Sequence, residues 1–169
     1  MTNELIALIA NIALTLSFII AFIFGVAQVN TARRDRKERL TLETLREFQT
    51  REFVELMNYI LRKDLPANRE EMVALPGEEQ IMLIQFGQIM ESLGILVAER
   101  LINLELVDKT LGSFVTASWD KYKPLFQDIR VSQPDPYLGE YFQWLAEEIE
   151  DRMKRFPRQP IHVEHPRAK

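Results

Sequence analysis

The chain has no cysteine among its 169 residues. Disulfides, thiolate nucleophiles and Cys-based zinc sites are therefore excluded, and the composition accords with a reducing compartment. Histidine is nearly as scarce. His162 and His165 stand together near the C-terminus, flanked by Pro160 and Pro166, so no Ser–His–Asp or Cys–His constellation can be assembled in the body of the chain. The 6 glycines form no Gly-rich phosphate-binding loop. Lys and Arg are missing before Arg33, and charge of either sign is missing between Glu4 and Arg33.

That uncharged interval holds the longest hydrophobic run, Leu5 to Ala27, LIALIANIALTLSFIIAFIFGVA. As a helix it would be about 34 Å long, enough to cross a hydrocarbon core of about 30 Å. Every face is apolar, which argues against the half-buried helix of a globular core. The leading segment Met1 to Glu4 is not basic and the apolar core is long, so a cleaved signal peptide is disfavoured and a signal anchor is expected. Within the run Ala13, Ser17, Ala21 and Gly25 recur every fourth residue and form a stripe of small side chains. Such a stripe lets two helices approach closely in lipid and predicts a homo-oligomer through this segment. Asn11 and Thr15 lie beside it and are candidates for hydrogen bonds across the interface.

Behind the run stands a basic collar of Arg33, Arg34, Arg36, Lys37 and Arg39. Basic residues next to a span mark its cytoplasmic side, so the N-terminus is expected outside and the rest of the chain in the cytoplasm. The collar either sets topology alone or also contacts anionic lipid headgroups, at about 1 kcal/mol per basic residue near the surface. From Leu40 onward there are 16 basic and 22 acidic residues, a net charge of −6. An acidic body is a poor nucleic-acid binder, because phosphate neutralisation supplies most of that affinity. No nucleic acid is expected as a partner.

Periodicity predicts an all-α chain: one N-terminal transmembrane helix followed by a cytoplasmic bundle of about five or six helices. The expected divisions are an anchor over 1–29, a collar and helical extension over 30–49, a helical domain over 50–156 and a disordered tail over 157–169. Leu42, Leu45 and Phe48 make an apolar stripe on the extension. Thr50 is placed to cap a second helix carrying Phe53, Met57 and Ile60 and ending at Pro66. A short helix is expected over Glu70 to Ala74. Gln80 to Val97 is the densest apolar stretch after the anchor, with Met82, Phe86, Ile89, Leu93 and Val97 on one face and Leu83, Ile84 and Met90 widening it. Its glutamines and Glu91 favour a bundle core over a second span. Gly87 and Gly94 mark where a neighbour comes close. A short helix from Leu104 is expected to end at Gly112, and Ser113 to cap the next. Val115, Trp119, Tyr122, Phe126 and Ile129 give that one a core face, with a kink or restart at Pro124. Tyr137 to Arg155 makes the last helix, with Leu138, Phe142, Leu145, Ile149 and Met153 inward.

Candidate chemistry is thin. His162 and His165 have metal-ligand spacing only on a helix, which the flanking prolines oppose, and no third ligand is placed. Glu147 and Asp151 lie four apart and could act as acid and base, but they read more simply as a solvated face near Arg152, Lys154 and Arg155. Trp119, Tyr122, Tyr141, Phe142 and Trp144 could line a pocket, and at helical spacing they are first of all core. Leu93 to Leu106 has a helix-turn-helix outline without a basic recognition helix. No catalytic residue, metal or cofactor is assigned.

The ordered blocks LREFQTREFVELMNYIL, FGQIMESLGILVAERLINLELVDKTLG, WDKYKPLF and YFQWLAEEI, behind the apolar run, resemble a bacterial membrane-anchored helical family, a domain of unknown function (the 4760 family). The resemblance covers about Leu5 to Arg155. It implies an anchor plus one helical domain, in bacteria, and it supplies no catalytic residues; with the basic collar, the location expected is the bacterial inner (plasma) membrane. The family often has Gly where this chain has Arg100, before Leu101-Ile102, which draws attention to the turn there. The function expected is that of a single-pass tethered scaffold, adaptor or sensor that binds membrane lipids and a protein partner of unknown identity, and is not an enzyme. The alternatives are an oligomerising effector that perturbs the bilayer and a membrane-tethered hydrolase using Glu147 and Asp151.

Overall fold

The computed structural model describes residues 2–132 and 135–157. Among these the regular structure is entirely helical: α1 (Thr2–Glu47), α2 (Arg51–Arg62), α3 (Arg69–Ala74), α4 (Gly77–Ala98), α5 (Leu104–Ser132) and α6 (Glu140–Arg155). The chain divides into two compact units, Met1–Leu40 and Thr41–Lys169.

The first unit is one helix. No proline interrupts it, and its most apolar 18-residue stretch has a mean hydropathy of 2.6 with none of its residues buried. Leu14, Phe18, Phe22 and Phe24 are each at least 66% exposed. A helix that is apolar all round and covered nowhere has the length and composition to cross a membrane.

The second unit is a bundle in which α6 packs on both α4 and α5. The end of α1 and the residue after it belong to this unit: Leu45 and Phe48 are buried as expected, whereas Leu42 is exposed and Thr41 is buried in its place, a rotation of the stripe by one residue at that turn. The same rotation applies to α4. Its buried face is Leu83, Phe86, Met90, Leu93 and Val97, while Met82 and Ile89 are only half-buried. The steps of three and four are those of one helical stripe. Phe86 sits at the centre of the aromatic core. Its ring meets Tyr122 at 5.2 Å, Phe114 at 5.6 Å and Phe142 at 6.1 Å between centroids. Burial of each such ring stabilises the fold by roughly 1.5–3 kcal/mol. α4 is also long and apolar enough to cross a membrane, with mean hydropathy 1.7, but 39% of that stretch is buried within the unit.

Three element boundaries differ from expectation. Residues 104–132 form one helix. Gly112 does not end it and Ser113 does not cap a new one, because Gly112 is buried against Asp108 and Met153 and takes no left-handed conformation. Burial of Val107, Val115, Trp119 and Tyr122 along one continuous face outweighs the weak helix propensity of a single glycine. Pro124 does not restart the helix either. It lies on the exposed side, where water can satisfy the carbonyl of Asp120 that loses its N–H partner. α6 begins at Glu140, because Tyr137 to Gly139 form a turn that closes on Gly139 at φ 71°. α4 starts earlier than expected, at Gly77 directly after Pro76.

Several ends are closed as the local sequence directs. The Thr50 hydroxyl accepts from the Phe53 N–H at 3.3 Å and caps α2. Asn103 Oδ1 accepts from the Glu105 N–H at 2.8 Å at the start of α5. α4 ends in a Schellman motif: the Arg100 N–H donates to the Val97 carbonyl and the Leu101 N–H to the Leu96 carbonyl, each at 2.9 Å, with Arg100 at φ 58°.

Candidate functional site

Two features have the geometry for interaction: the surface of α1, and a groove in the bundle. On α1, Ala13, Ser17, Ala21 and Gly25 are all exposed. A Cβ added at Gly25 would meet nothing within 4 Å. A shallow notch lies over Ala21 and Gly25, walled by Phe22, Val26 and Val29. The small residues thus lower the helix surface between large neighbours. Thr15 does not point its donor outward. Its hydroxyl donates to the Asn11 carbonyl of the same helix at 2.8 Å, so toward a partner Thr15 can only accept, whereas the Asn11 amide can donate and accept.

The collar follows on the same helix. At 3.6 residues per turn, Arg33, Arg34, Arg36, Lys37 and Arg39 are spread around the helix rather than gathered on one face. Arg34 donates to Glu38 at 2.8 Å, and that hydrogen bond raises its pKa above the ordinary arginine value. Arg33, Arg36 and Arg39 are exposed, whereas Lys37 is half-buried. The collar is therefore a ring of charge in which Lys37 is the least available member.

The groove lies between α3, α4, α5 and the turn before α6, with a volume of about 200 Å³. Leu83, Gly87, Tyr122 and Phe126 form its floor, and Met72, Ile84 and Leu138 stand at its mouth. The Tyr122 hydroxyl is spent on the Leu83 carbonyl at 3.0 Å. Burial pushes its ionisation well above the ordinary tyrosine range. Glu91 and Gln88 supply the polar edge. Glu91 is the only charged residue between Glu79 and Glu99. Its carboxylate accepts the N–H groups of Tyr141 at 3.3 Å and Phe142 at 2.9 Å. It thereby caps α6, whose own cap residue Gly139 has no side chain. A carboxylate at a helix N-terminus satisfies orphan N–H groups and opposes the macrodipole.

The other candidates are not drawn together. Glu147 accepts from Gln143 at 2.7 Å and Asp151 from Arg155 at 2.9 Å, each within its own helix and outside the groove. Trp119, Tyr122 and Phe142 are core, Tyr141 is half-buried and Trp144 is 37% exposed; of these five only Tyr122 lines the groove. His162, His165 and the tail from 158 lie outside the described residues. Two polar devices were not read from the sequence. Lys121 Nζ donates to the Ile60, Leu61 and Lys63 carbonyls at 3.0, 2.8 and 2.8 Å and closes the C-terminus of α2. Asp108, 4% exposed, pairs with Arg152 at 3.4 Å between α5 and α6.

The family described as a domain of unknown function, DUF4760, matches residues 12–149. The chain belongs to this family. No curated protein and no solved structure matches it. In this DUF4760 protein the small-residue stripe, the collar and every residue of the groove lie within the matched span. The Schellman turn at Arg100 lies there too.

Proposed function

We propose that this DUF4760 protein is a single-pass membrane-tethered binding module, a scaffold or sensor whose helical bundle meets its partner at the cytoplasmic face of a bacterial inner membrane. The observation that carries this reading is the wholly uncovered apolar surface of α1, none of whose most hydrophobic stretch is buried, followed by a bundle with a packed aromatic core. Water exposure of a surface that size is unfavourable by roughly 25 cal/mol per Å², and a bilayer relieves it. The collar after the span and the absence of Lys and Arg before it support an outside N-terminus. The ring of cations suits a helix leaving a membrane among anionic headgroups. Binding is favoured over catalysis because Glu147 and Asp151 each serve a neighbour on their own helix. The acidic bundle suits a protein partner better than nucleic acid.

The lack of cysteine makes the test direct. Asn3→Cys and Gln127→Cys introduce single thiols at exposed positions on either side of the span. A membrane-impermeant maleimide applied to intact spheroplasts is expected to label Asn3→Cys and to reach Gln127→Cys only after lysis. Carbonate washing at high pH is expected to leave the chain in the membrane pellet. Release into the supernatant would sink the tether, and the reverse labelling pattern would sink the orientation. The notch over Ala21 and Gly25 favours a second reading, an anchor that assembles and perturbs the bilayer. Leakage of a small dye from liposomes carrying the full chain would support that reading, and retention would remove it.

A further inference from the structure

Every residue of the groove belongs to the second unit. Protein interiors are packed nearly as densely as organic crystals, so an apolar hollow of about 200 Å³ beside a buried Tyr122–Phe126 floor is unusual in a bundle this small. A dry cavity of about 150 Å³ holds benzene, so this volume suits a two-ring aromatic or an aliphatic body of equal bulk. The lining fits such a body: aromatic through Tyr122 and Phe126, aliphatic through Leu83 and Ile84. Ile84 at the mouth is 48% exposed, so an occupant would cover apolar surface now facing water.

The polar edge selects the head group. The Glu91 carboxylate accepts two N–H bonds from α6, and a carboxylate offers about four lone-pair sites. It therefore retains acceptor capacity at the groove without giving up its cap. Beside it the exposed Gln88 adds an amide. A negative, acceptor-only group at the rim repels carboxylates and phosphates and rewards a neutral donor.

We propose that this groove binds a small neutral molecule with an apolar body of about two fused rings in bulk and a single N–H or O–H donor that meets Glu91. Indole is a probe of that chemistry. 1-Methylindole lacks the donor, and indole-3-carboxylate adds the wrong charge. The full chain in nanodiscs, with methionine and isoleucine methyls labelled for NMR, is titrated with each, and empty nanodiscs measure partition into lipid. Indole is expected to shift the Met72, Ile84 and Ile129 methyls along a saturating curve and to leave Ile102 unmoved. 1-Methylindole is expected to bind about tenfold more weakly, the worth of a hydrogen bond to a charged acceptor, and indole-3-carboxylate more weakly still. Ile84→Trp fills the groove from its mouth and is expected to abolish the shifts with the melting temperature unchanged or raised. Leu138→Trp serves the same end if that variant fails to fold. Shifts that follow lipid partition without saturating would overturn the site. So would equal binding by the filled variant. Equal affinity for indole and 1-methylindole would overturn the role given to Glu91.

Discussion

Arg100 holds its backbone at φ 58° to close α4, in a region where any residue with a Cβ is strained and glycine is not. Its N–H and that of Leu101 satisfy two carbonyls of the last turn. Arg100→Gly keeps those bonds and relieves the strain, against a loss from the freer unfolded chain. A net gain of about 0.5–1 kcal/mol is expected in urea unfolding. Arg100→Val places a β-branched residue in the same conformation and is expected to cost about 1–2 kcal/mol. A gain from valine, or a loss from glycine, would show that the turn is not left-handed. Gly94 is a stricter case. A Cβ there would run into the Tyr141 backbone of α6, and backbone cannot swing aside as a flexible side chain can. Gly94→Ala is expected to destabilise by about 2–3 kcal/mol, the cost of overpacking, measured by the same unfolding curve.

Tyr59 gives a pH dependence. Its hydroxyl donates to Glu79 at 2.7 Å, and burial, aided by that bond, pushes its pKa up from 10.0 to about 12. The unfolded chain therefore loses this proton first. The contribution to stability is whole below about pH 10 and is lost as pH rises through about 12. Denaturant midpoints at pH 9 and pH 11.5 are expected to separate more for the native sequence than for Tyr59→Phe. An equal fall in both would mean that Tyr59 ionises alike in the two states.

At the scale of elements, the Thr50 cap and the apolar periodicities made α2, α4 and α6 legible, because caps and stripes are local signals, and the short helix expected over Glu70 to Ala74 lies within one residue of α3. The length of α5 was not, since Gly112 and Pro124 are strong breakers that only tertiary burial overrides. Neither were the groove and its cap. Glu91 reaches α6 across 51 residues, and Lys121 reaches α2 across 60, and no spacing rule links positions so far apart. A signal existed in Glu91, the one charge on the apolar stretch of α4 beyond its first turn, where partial burial calls for a partner. Pro124 supplies the test at this scale. Because α5 already continues through it as one helix, Pro124→Ala restores a main-chain bond without moving an element boundary. It is expected to raise stability by about 1–2 kcal/mol, part of the roughly 3 kcal/mol that proline costs inside a helix. A loss would mean that the proline shapes the packing of α5 instead.

For the whole molecule, α1 can be tested for joining chains as well as for the proposed tethering. The stripe places Ala21 and Gly25 under a notch, with Phe22 and Val29 raised around it, so a second helix could seat a ridge there. In lipid such an interface gains little from hydrophobicity, because the tails are as apolar as leucine. Close packing and hydrogen bonds must supply the attraction. Two consequences separate packing from polarity. Gly25→Leu fills the notch and is expected to weaken self-association of the full chain in nanodiscs on the order of tenfold. Thr15→Val is expected to change little, because the Thr15 hydroxyl already donates its proton to the Asn11 carbonyl of its own helix. Asn11→Val, which removes a free amide from the same region, should weaken association if the interface reaches that far toward the N-terminus. Sedimentation or single-molecule photobleaching of the three variants reads the outcome. Assembly disturbed by Gly25→Leu and not by Thr15→Val assigns the contact to the small-residue face. A monomer throughout would rule out assembly through α1.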